Sequence, residues 1–278
     1  MPWNLRRDRQ SLPNPVISLL LVLTAGLVLL PVAIAVWTSL QPPGAVLGLD
    51  EGDRALTLAN YQQAWRQGQF WLAFANSTLV AIATCLGQLI TSALAGYALA
   101  RLRFRGRQAL LVAVVTTLAI PFQVLVIPVF LVLKWGQLID TYWALILPAA
   151  ASSFGIFLMR QHFVSQPLAL EEAACLDGAN RLQVLWYIVL PLARPALATL
   201  FLFTFIGEWN DLFKPLIFTT RPELRTVQLA LAQFQEQFTS NWPLLMAAVT
   251  MATLPMLLLF VLVQRQLTRG ISTTGLKN

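Results

Sequence analysis

The feature that most constrains this chain is a series of long apolar runs that contain no charged residue. The run at 15–40 spans 26 positions, and comparable runs cover about 71–100, 108–133 and 243–264. About 20 apolar residues in a helix cross the hydrocarbon core of a bilayer. Shorter apolar stretches lie at 141–159 and at 195–219. The sequence therefore predicts an all-α membrane protein with six transmembrane helices.

Composition excludes an ordinary soluble domain, because only 11% of the 278 residues are charged and 57% are hydrophobic. The run at 15–40 is longer than the apolar part of a signal peptide and lacks a clear cleavage site, which favours a retained first span. The expected organisation is a terminal segment at 1–14, a membrane domain at 15–267 and a tail at 268–278.

The charges predict an orientation, since cytoplasmic loops of membrane proteins are enriched in Lys and Arg. With six spans, one side of the membrane receives 13 basic and 4 acidic residues, and the other receives 6 basic and 8 acidic residues. Both termini are therefore expected in the cytoplasm. The net charge of +7 is explained by this asymmetry, so no nucleic acid partner is expected.

The loop at 160–194, between the fourth and fifth spans, is unusually polar and longer than a simple connection requires. Pro167 suits a helix start, and Glu171 and Glu172 suit its first turns, where the helix dipole favours carboxylates. Asp177 and Gly178 suit its end, because Gly accepts the left-handed conformation of a C-cap. A second amphipathic segment follows up to Pro191. On physical grounds alone, such a pair of helices could also be a plain interfacial connection.

The spacing within this loop resembles a known motif. Glu172-Ala173-Ala174, Gly178, Ile188 and Leu190-Pro191 fit the EAA pattern of permease subunits of binding-protein-dependent ABC importers. Four other segments are similar to the carbohydrate-uptake branch of this permease family, and within it to maltose-type subunits with six spans. They are NSTLVAIAT, YALARLRFRGR, IPFQVLVIPVF and TFIGEWNDLFKPLIF. The likeness covers roughly residues 11–278.

The resemblance implies a function and a set of partners. The EAA loop would be a coupling helix that contacts a cytoplasmic ATPase, and the tail RGISTTGLKN would approach the ATPase dimer. The expected partners are a second permease subunit, two ATPase subunits that bind ATP and Mg, and an extracytoplasmic solute-binding protein, all at a bacterial inner membrane. The residues expected to contribute to coupling are Glu172, Ala173, Ala174, Asp177, Gly178, Arg181, Ile188 and Pro191.

The chain itself carries no expected catalytic, cofactor or metal site. The closest approach to a phosphate-binding loop, residues 270–277, has Leu276 where that pattern requires Lys. The single histidine, His162, is expected to be a solvated loop residue. ATP hydrolysis is therefore expected in partner subunits.

Polar residues at membrane depth usually face a cavity or another helix. Gln88, Thr91 and Ser92 are expected to hydrogen-bond between helices. A sugar, with hydroxyl groups and apolar ring faces, would suit the amides, carboxylates and indole late in the fifth span, although this end could equally lie in the outer interface. The candidate pathway residues are Asn76, Gln123, Glu208, Trp209, Asn210 and Asp211.

Two transport functions fit these residues, besides a membrane scaffold that transports nothing. The first is a permease subunit of an ATP-driven importer of a sugar or sugar-like solute. The alternative is an ion-coupled secondary transporter that uses Glu208 and Asp211 as its ion site. Such transporters are often built from inverted repeats, and the sequence has no convincing internal repeat. The identity of the sugar is not encoded in any recognisable motif.

Overall fold

The computed structural model describes residues 15–42, 56–238 and 240–274, with side chains up to Gln264. This part of the chain consists of helices joined by turns and loops. The helices are α1 (Pro15–Ser39), α2 (Ala59–Gln67), α3 (Phe70–Arg101), α4 (Arg107–Thr117), α5 (Phe122–Trp135), α6 (Tyr142–Ile146), α7 (Ser153–Ser165), α8 (Leu168–Leu176), α9 (Arg181–Val184), α10 (Leu190–Leu192), α11 (Arg194–Trp209), α12 (Phe213–Phe218), α13 (Val227–Gln237) and α14 (Trp242–Thr274).

Three helices are long and apolar enough to cross a bilayer without interruption: α1, α3 and the first 23 residues of α14. They correspond to the predicted spans 15–40, 71–100 and 243–264, although α1 ends one residue earlier, at Ser39. Three further pairs of helices reach this length only when a bend is included, so the described residues supply between three and six candidate crossings. The all-α membrane fold is confirmed, and the number of six crossings remains a prediction.

The predicted span at 108–133 is bent in the structure. The chain forms α4 and α5, which meet at 105°. Pro121 precedes α5 with ψ of 137°, and it lacks the amide hydrogen that a continuous helix would use. The residue before a proline is also disfavoured in helical conformation. The bend is therefore encoded at Pro121.

The predicted fourth span, 141–159, is also interrupted. A 3₁₀ turn at Leu147–Ala149 separates α6 from α7, and the two parts are bent by 41°. Helix α7 continues to Ser165, so His162 lies half-buried in a helix rather than in a solvated loop. Its last turn therefore occupies the start of the segment that the sequence assigns to the loop at 160–194.

The break in the fourth span leaves backbone carbonyl groups that α3 satisfies. Gln88 Nε2 donates to the Ala149 carbonyl oxygen at 2.8 Å, and Thr91 Oγ1 donates to that of Ala150 at 3.0 Å. Thr204 Oγ1 of α11 donates to Gln88 Oε1 at 2.8 Å. These bonds confirm the prediction for Gln88 and Thr91, since broken helices at membrane depth need such partners. Ser92 Oγ is buried without a hydrogen-bond partner.

The described residues divide into two compact units: those within 1–64 and 238–251 form the first, and those within 65–237 and 252–278 form the second. In the first unit, Asn60 Nδ2 of α2 donates to the carbonyl oxygens of Ser39 and Gln41 at 2.8 and 2.7 Å. Tyr61 adds a 2.6 Å hydroxyl contact with Ser39 Oγ. These bonds satisfy backbone acceptors at the C-terminus of α1, which a helix end otherwise leaves unpaired.

In the second unit, α3 packs closely against α7 because glycine occupies the contact. A Cβ added at Gly96 would lie 2.9 Å from Met159 Cβ and 3.0 Å from the Arg160 backbone nitrogen. Small residues at such positions let two membrane helices approach. Beside this contact, a buried apolar cluster joins α3, α7, α11 and the segment 174–193, and it fixes the position of the loop described next.

Candidate functional site

The first helix of the polar loop, α8, begins and ends where the sequence predicts. Pro167 is its N-cap with extended backbone, and Asp177 is its C-cap. Gly178 follows with a φ of +88°, and the Ala179 amide donates to the Ala174 carbonyl oxygen at 2.9 Å. This left-handed residue reverses the chain after α8, a conformation that costs other residues about 1–2 kcal/mol.

The second half of the loop is also helical, with features that the sequence analysis missed. Asn180 and Gln183 form a capping box, with reciprocal side-chain to backbone bonds of 2.9 and 2.8 Å. Asn followed three residues later by Gln is a recognisable sequence signal of a helix N-terminus. After α9, the segment Leu185–Val189 is a π-helix, in which the Leu190 amide bonds to Leu185. Pro191, one residue later, has no amide hydrogen to donate within the helix.

The two adjacent glutamates of α8 have opposite environments. Glu171 is 2% exposed, whereas Glu172 is exposed to the surroundings. Of the other proposed coupling residues, Ala173, Asp177, Gly178, Arg181 and Pro191 are exposed, Ile188 is half-buried and Ala174 is buried. The exposed face of α8 also carries Leu176, which is 89% exposed. The exposed residues of the loop are therefore a mixture of apolar, acidic and basic side chains.

Glu171 is held by a cluster that the sequence analysis missed. Arg101 Nε, at the end of α3, contacts Glu171 Oε1 at 2.5 Å, and the Tyr97 hydroxyl donates to Oε2 at 3.3 Å. Arg101 also donates to the Gln166 carbonyl oxygen at 2.8 Å. The sequence predicts only a favourable helix-dipole position for Glu171. It gives no local signal of the contact with Arg101, because the two residues are 70 positions apart.

A second buried charge cluster lies where α11 ends. Lys214 Nζ contacts Glu208 at 2.7 and 2.8 Å, and it is 3.2 Å from Asp211 Oδ2. Asp211 Oδ1 also accepts from the backbone amides of Phe213 and Lys214. Side-chain exposure is 9–17% for all three residues. The predicted mutual neutralisation of these charges is confirmed, and Asp211 also caps α12.

Two candidate pathway residues have structural partners instead of an open surface. Trp209 is 1% exposed, its ring stacks on Phe205, and its Nε1 donates to the Ala252 carbonyl oxygen at 3.0 Å. Asn76 is 3% exposed and donates to the carbonyl oxygens of Glu223 and Arg225. Tyr142 donates to Asn76 Oδ1 at 2.7 Å. Both of these predicted pathway side chains are therefore buried and hydrogen-bonded within the chain.

The remaining pathway candidates differ from these two. Gln123, at the start of α5, and Asn210, after α11, are both exposed. Asn210 Nδ2 donates to the Ile206 carbonyl oxygen, while its Oδ1 accepts from Gln228 at 3.3 Å. Among the described residues, no group of three His, Cys, Asp or Glu side chains could hold a metal ion.

Asp140 joins two loops of the second unit. It accepts hydrogen bonds from the amide and hydroxyl of Thr220 and from the Arg221 amide. These bonds, the Thr220 amide first, hold the pKa of the Asp140 carboxyl below its ordinary value of about 3.8. The stabilisation is therefore complete above the ordinary pKa and is lost as pH falls through the lower folded-state value.

We expect Asp140→Asn to lower the thermal stability of the purified chain at pH 6 and to have a smaller effect near pH 3. Asn tolerates the positive φ of 59° at this position, so the change removes charge with little backbone strain. The measurement is the difference in unfolding temperature between variant and parent at the two pH values. The exposed Glu236→Gln is the control, and an equal difference at both pH values would contradict the prediction.

Comparison with known proteins identifies the family. The family model for "Binding-protein-dependent transport system inner membrane component" matches residues 88–273. The chain is 37% identical to the probable ABC transporter permease protein YurM of Bacillus subtilis, over 78% of this chain and 73% of that protein. It is 32% identical to the arabinooligosaccharides transport system permease protein AraQ of Halalkalibacterium halodurans, over 86% of each.

A solved structure supports the same assignment. The fold matches a chain in the crystal structure of a bacterial ABC transporter that imports the acidic polysaccharide alginate, with a TM-score of 0.77 and 27% identity. The match covers 95% of this chain and 99% of that one. The chain therefore belongs to the family of binding-protein-dependent transport system inner membrane components, as a non-catalytic ABC transporter permease subunit.

Proposed function

We propose that this chain is one permease subunit of an ATP-driven importer that moves a sugar or sugar-like solute into the cytoplasm. The observation that carries the coupling part of this proposal is the division of α8 into an anchored and an exposed face. Glu171 is buried against α3, while Glu172 and Leu176 are available to a partner. A helix anchored on one side can transmit a displacement applied to its other side.

The solute class follows from the similar proteins. One is named for arabinooligosaccharide transport and another belongs to an importer of alginate, so the substrates of both are carbohydrates. Family membership also implies a solute-binding protein, as the family description states. We extend both properties to this chain. The individual sugar is best identified by testing the solute-binding protein against a panel of mono-, di- and oligosaccharides.

The proposed assembly contains a second permease subunit and two cytoplasmic ATPase subunits. ATP and Mg bind to the ATPase subunits, and closure of the ATPase dimer displaces the EAA loop. The permease pair then changes between inward-facing and outward-facing states, a population shift driven from the partner. The coupling surface consists of Glu172, Ala173, Asp177, Gly178, Arg181 and Pro191, supported by Ala174 and Ile188.

This assignment requires the EAA loop and both termini on the cytoplasmic side. The distribution of Lys and Arg supports this orientation when each bent helix pair counts as one crossing. The C-terminal tail, at 268–278, would then lie on the same side as the ATPase. Its side chains lie outside the described residues.

We propose that Gln123 and Asn210 line the solute pathway. The buried charges of Glu208 and Asp211 would lie close to this pathway. The two amides offer both donors and acceptors to sugar hydroxyl groups. The alternative of ion-coupled transport has less support. Lys214 already contacts both carboxylates, so neither is an unpaired candidate ligand for a proton or sodium ion.

The test compares two glycines with the same backbone conformation. Gly178 and Gly106 have φ values of +88° and +85°, and a Cβ at either would meet no atom within 4 Å. We expect Gly178→Ala to reduce retention of the ATPase about tenfold during co-purification, because strain of about 1–2 kcal/mol disturbs the turn beside the coupling surface. Gly106→Ala carries the same strain elsewhere and should retain the ATPase within about twofold of the parent.

The readouts are the ratio of ATPase to permease and ATP-driven sugar uptake in proteoliposomes. Equal losses in both variants would assign the effect to backbone strain alone. Failure of the parent chain to retain an ATPase, or uptake by the purified chain driven by an ion gradient, would contradict the proposed function itself.

A further inference from the structure

We propose that Arg101, Tyr97 and Glu171 form a latch that passes movement of the coupling helix to α3. Glu171 is then a positioning residue, whose task differs from that of its neighbour Glu172. This proposal rests on the proposed binding of the ATPase to the EAA loop. It adds the route by which the displacement of α8 reaches the membrane-spanning part of the chain.

The first argument is the geometry of the latch. Both oxygens of Glu171 are engaged, one by Arg101 Nε and the other by the Tyr97 hydroxyl. The side chain of Arg101 is 10% exposed and that of Glu171 is 3% exposed. Hydrogen bonds between charged groups are stronger and more directional than neutral ones, especially away from water. The contact therefore resists sliding of α8 along α3.

The second argument is that the latch joins four segments of the chain. Arg101 also donates to the Gln166 carbonyl oxygen in the link between α7 and α8. Gln166 Nε2 in turn donates to the Val189 carbonyl oxygen at 3.4 Å, at the end of the π-helical segment. The end of α3, the link after α7, α8 and the second half of the loop thus share one network. Contiguous networks of this kind can carry coupling between sites.

The third argument is the length and packing of α3. The helix contains 32 residues, so Tyr97 and Arg101 lie at one end and Thr78 lies more than five turns away. Tyr97 also packs edge to face on Phe163 of α7, with ring centroids 6.1 Å apart. A push on Glu171 therefore acts on two packed helices together. The exposed Glu172 has no comparable contact with the described residues.

The experiment uses the full complex and measures a response along α3. The exposed Thr78 is replaced by Cys in a chain that also carries Cys85→Ala and Cys175→Ser, so that position 78 holds its single cysteine. The rate of labelling by a soluble maleimide is measured with and without ATP and vanadate. In the parent complex we expect the nucleotide to change this rate fivefold or more.

Glu171→Gln and Glu172→Gln are the matched pair, since they make the same chemical change at adjacent positions. We expect Glu171→Gln to retain the ATPase while the nucleotide response falls below twofold. Glu172→Gln, which changes the exposed surface proposed to contact the ATPase, should instead lower ATPase retention. A merely structural role of Glu171 would lower the yield of complex and leave the response of assembled complexes unchanged.

Tyr97→Phe provides a second variant that keeps the buried ring and removes one hydroxyl from the latch. Its expected result is retention of the ATPase with about half of the parent response. A full parent response in both Glu171→Gln and Tyr97→Phe overturns the latch. If the Glu171→Gln complex fails to assemble, a full parent response in Tyr97→Phe is sufficient to overturn the latch. Absence of ATPase or of a nucleotide response in the parent complex contradicts the proposed function instead.

Discussion

Lys214→Met is expected to destabilise the chain by about 3–5 kcal/mol, because it leaves two buried carboxylates without their cation. Lys214 Nζ contacts both oxygens of Glu208 within 2.8 Å and lies 3.2 Å from Asp211. Met has a similar length and keeps the apolar packing of the side chain. The loss of stability therefore measures the effect of the unpaired charges and not that of a cavity. Thermal unfolding of the purified chain in detergent measures the effect.

Two variants serve as controls for this prediction. Lys134→Met removes an exposed lysine from α5 and should change stability by less than about 0.5 kcal/mol. Glu208→Gln combined with Lys214→Met removes one carboxylate as well as the cation and should recover a large part of the loss. If the double variant were less stable than Lys214→Met alone, the charge argument would be wrong.

The double variant also separates the possible roles of this cluster in transport. If the cluster only stabilises the break between α11 and α12, the folded double variant should transport the solute at close to the parent rate. If the charges lie beside the solute pathway, uptake should fall while folding is retained. An ion-coupled carrier that uses Glu208 would lose gradient-driven uptake completely.

Gly96→Val is expected to destabilise the second unit by about 3 kcal/mol, since it forces apart α3 and α7. Even a single Cβ would meet Met159 Cβ at 2.9 Å and the Arg160 backbone nitrogen at 3.0 Å. The second atom belongs to the backbone of α7, so no rotation of a side chain relieves the contact. Insertion of extra methyl groups into packed contacts typically costs about 1–3 kcal/mol, occasionally more.

The control for Gly96→Val is Gly26→Val in α1, where a Cβ would have no neighbour within 4 Å. Gly and Val differ little in helix propensity, so this substitution should alter stability by less than about 0.5 kcal/mol. The measurement is again thermal unfolding, together with the fraction of monodisperse protein after purification. Similar effects at both glycines would show that the loss does not come from helix packing.

Local signals in the sequence were sufficient for the ends of α8. Pro167 has the fixed φ and missing amide that suit a helix start, and Gly178 has the freedom that a left-handed C-cap needs. The motif that includes Gly178 also identified the family. In each case the property belongs to one residue and its immediate neighbours, so no knowledge of distant contacts was required.

Local signals in the sequence did not predict where the membrane helices bend. Pro31, Pro128 and Pro255 lie inside continuous helices, whereas Pro121 is the N-cap of α5. A proline in a membrane segment removes one hydrogen bond wherever it occurs, but neighbouring groups decide whether the helix continues. In the fourth span, the break depends on Gln88 and Thr91 of α3, which bind the carbonyl groups that it exposes.

By itself, the sequence determined that this chain is a helical membrane protein and where the short helix α8 of its polar loop begins and ends. Apolar run length and motif spacing are local properties that any fold must respect. Only the tertiary structure decided that Glu171 is buried and Glu172 exposed, because successive helix positions point about 100° apart. It also decided that Trp209 and Asn76 bind the protein itself. Such roles depend on partners distant in sequence, which composition and spacing do not specify.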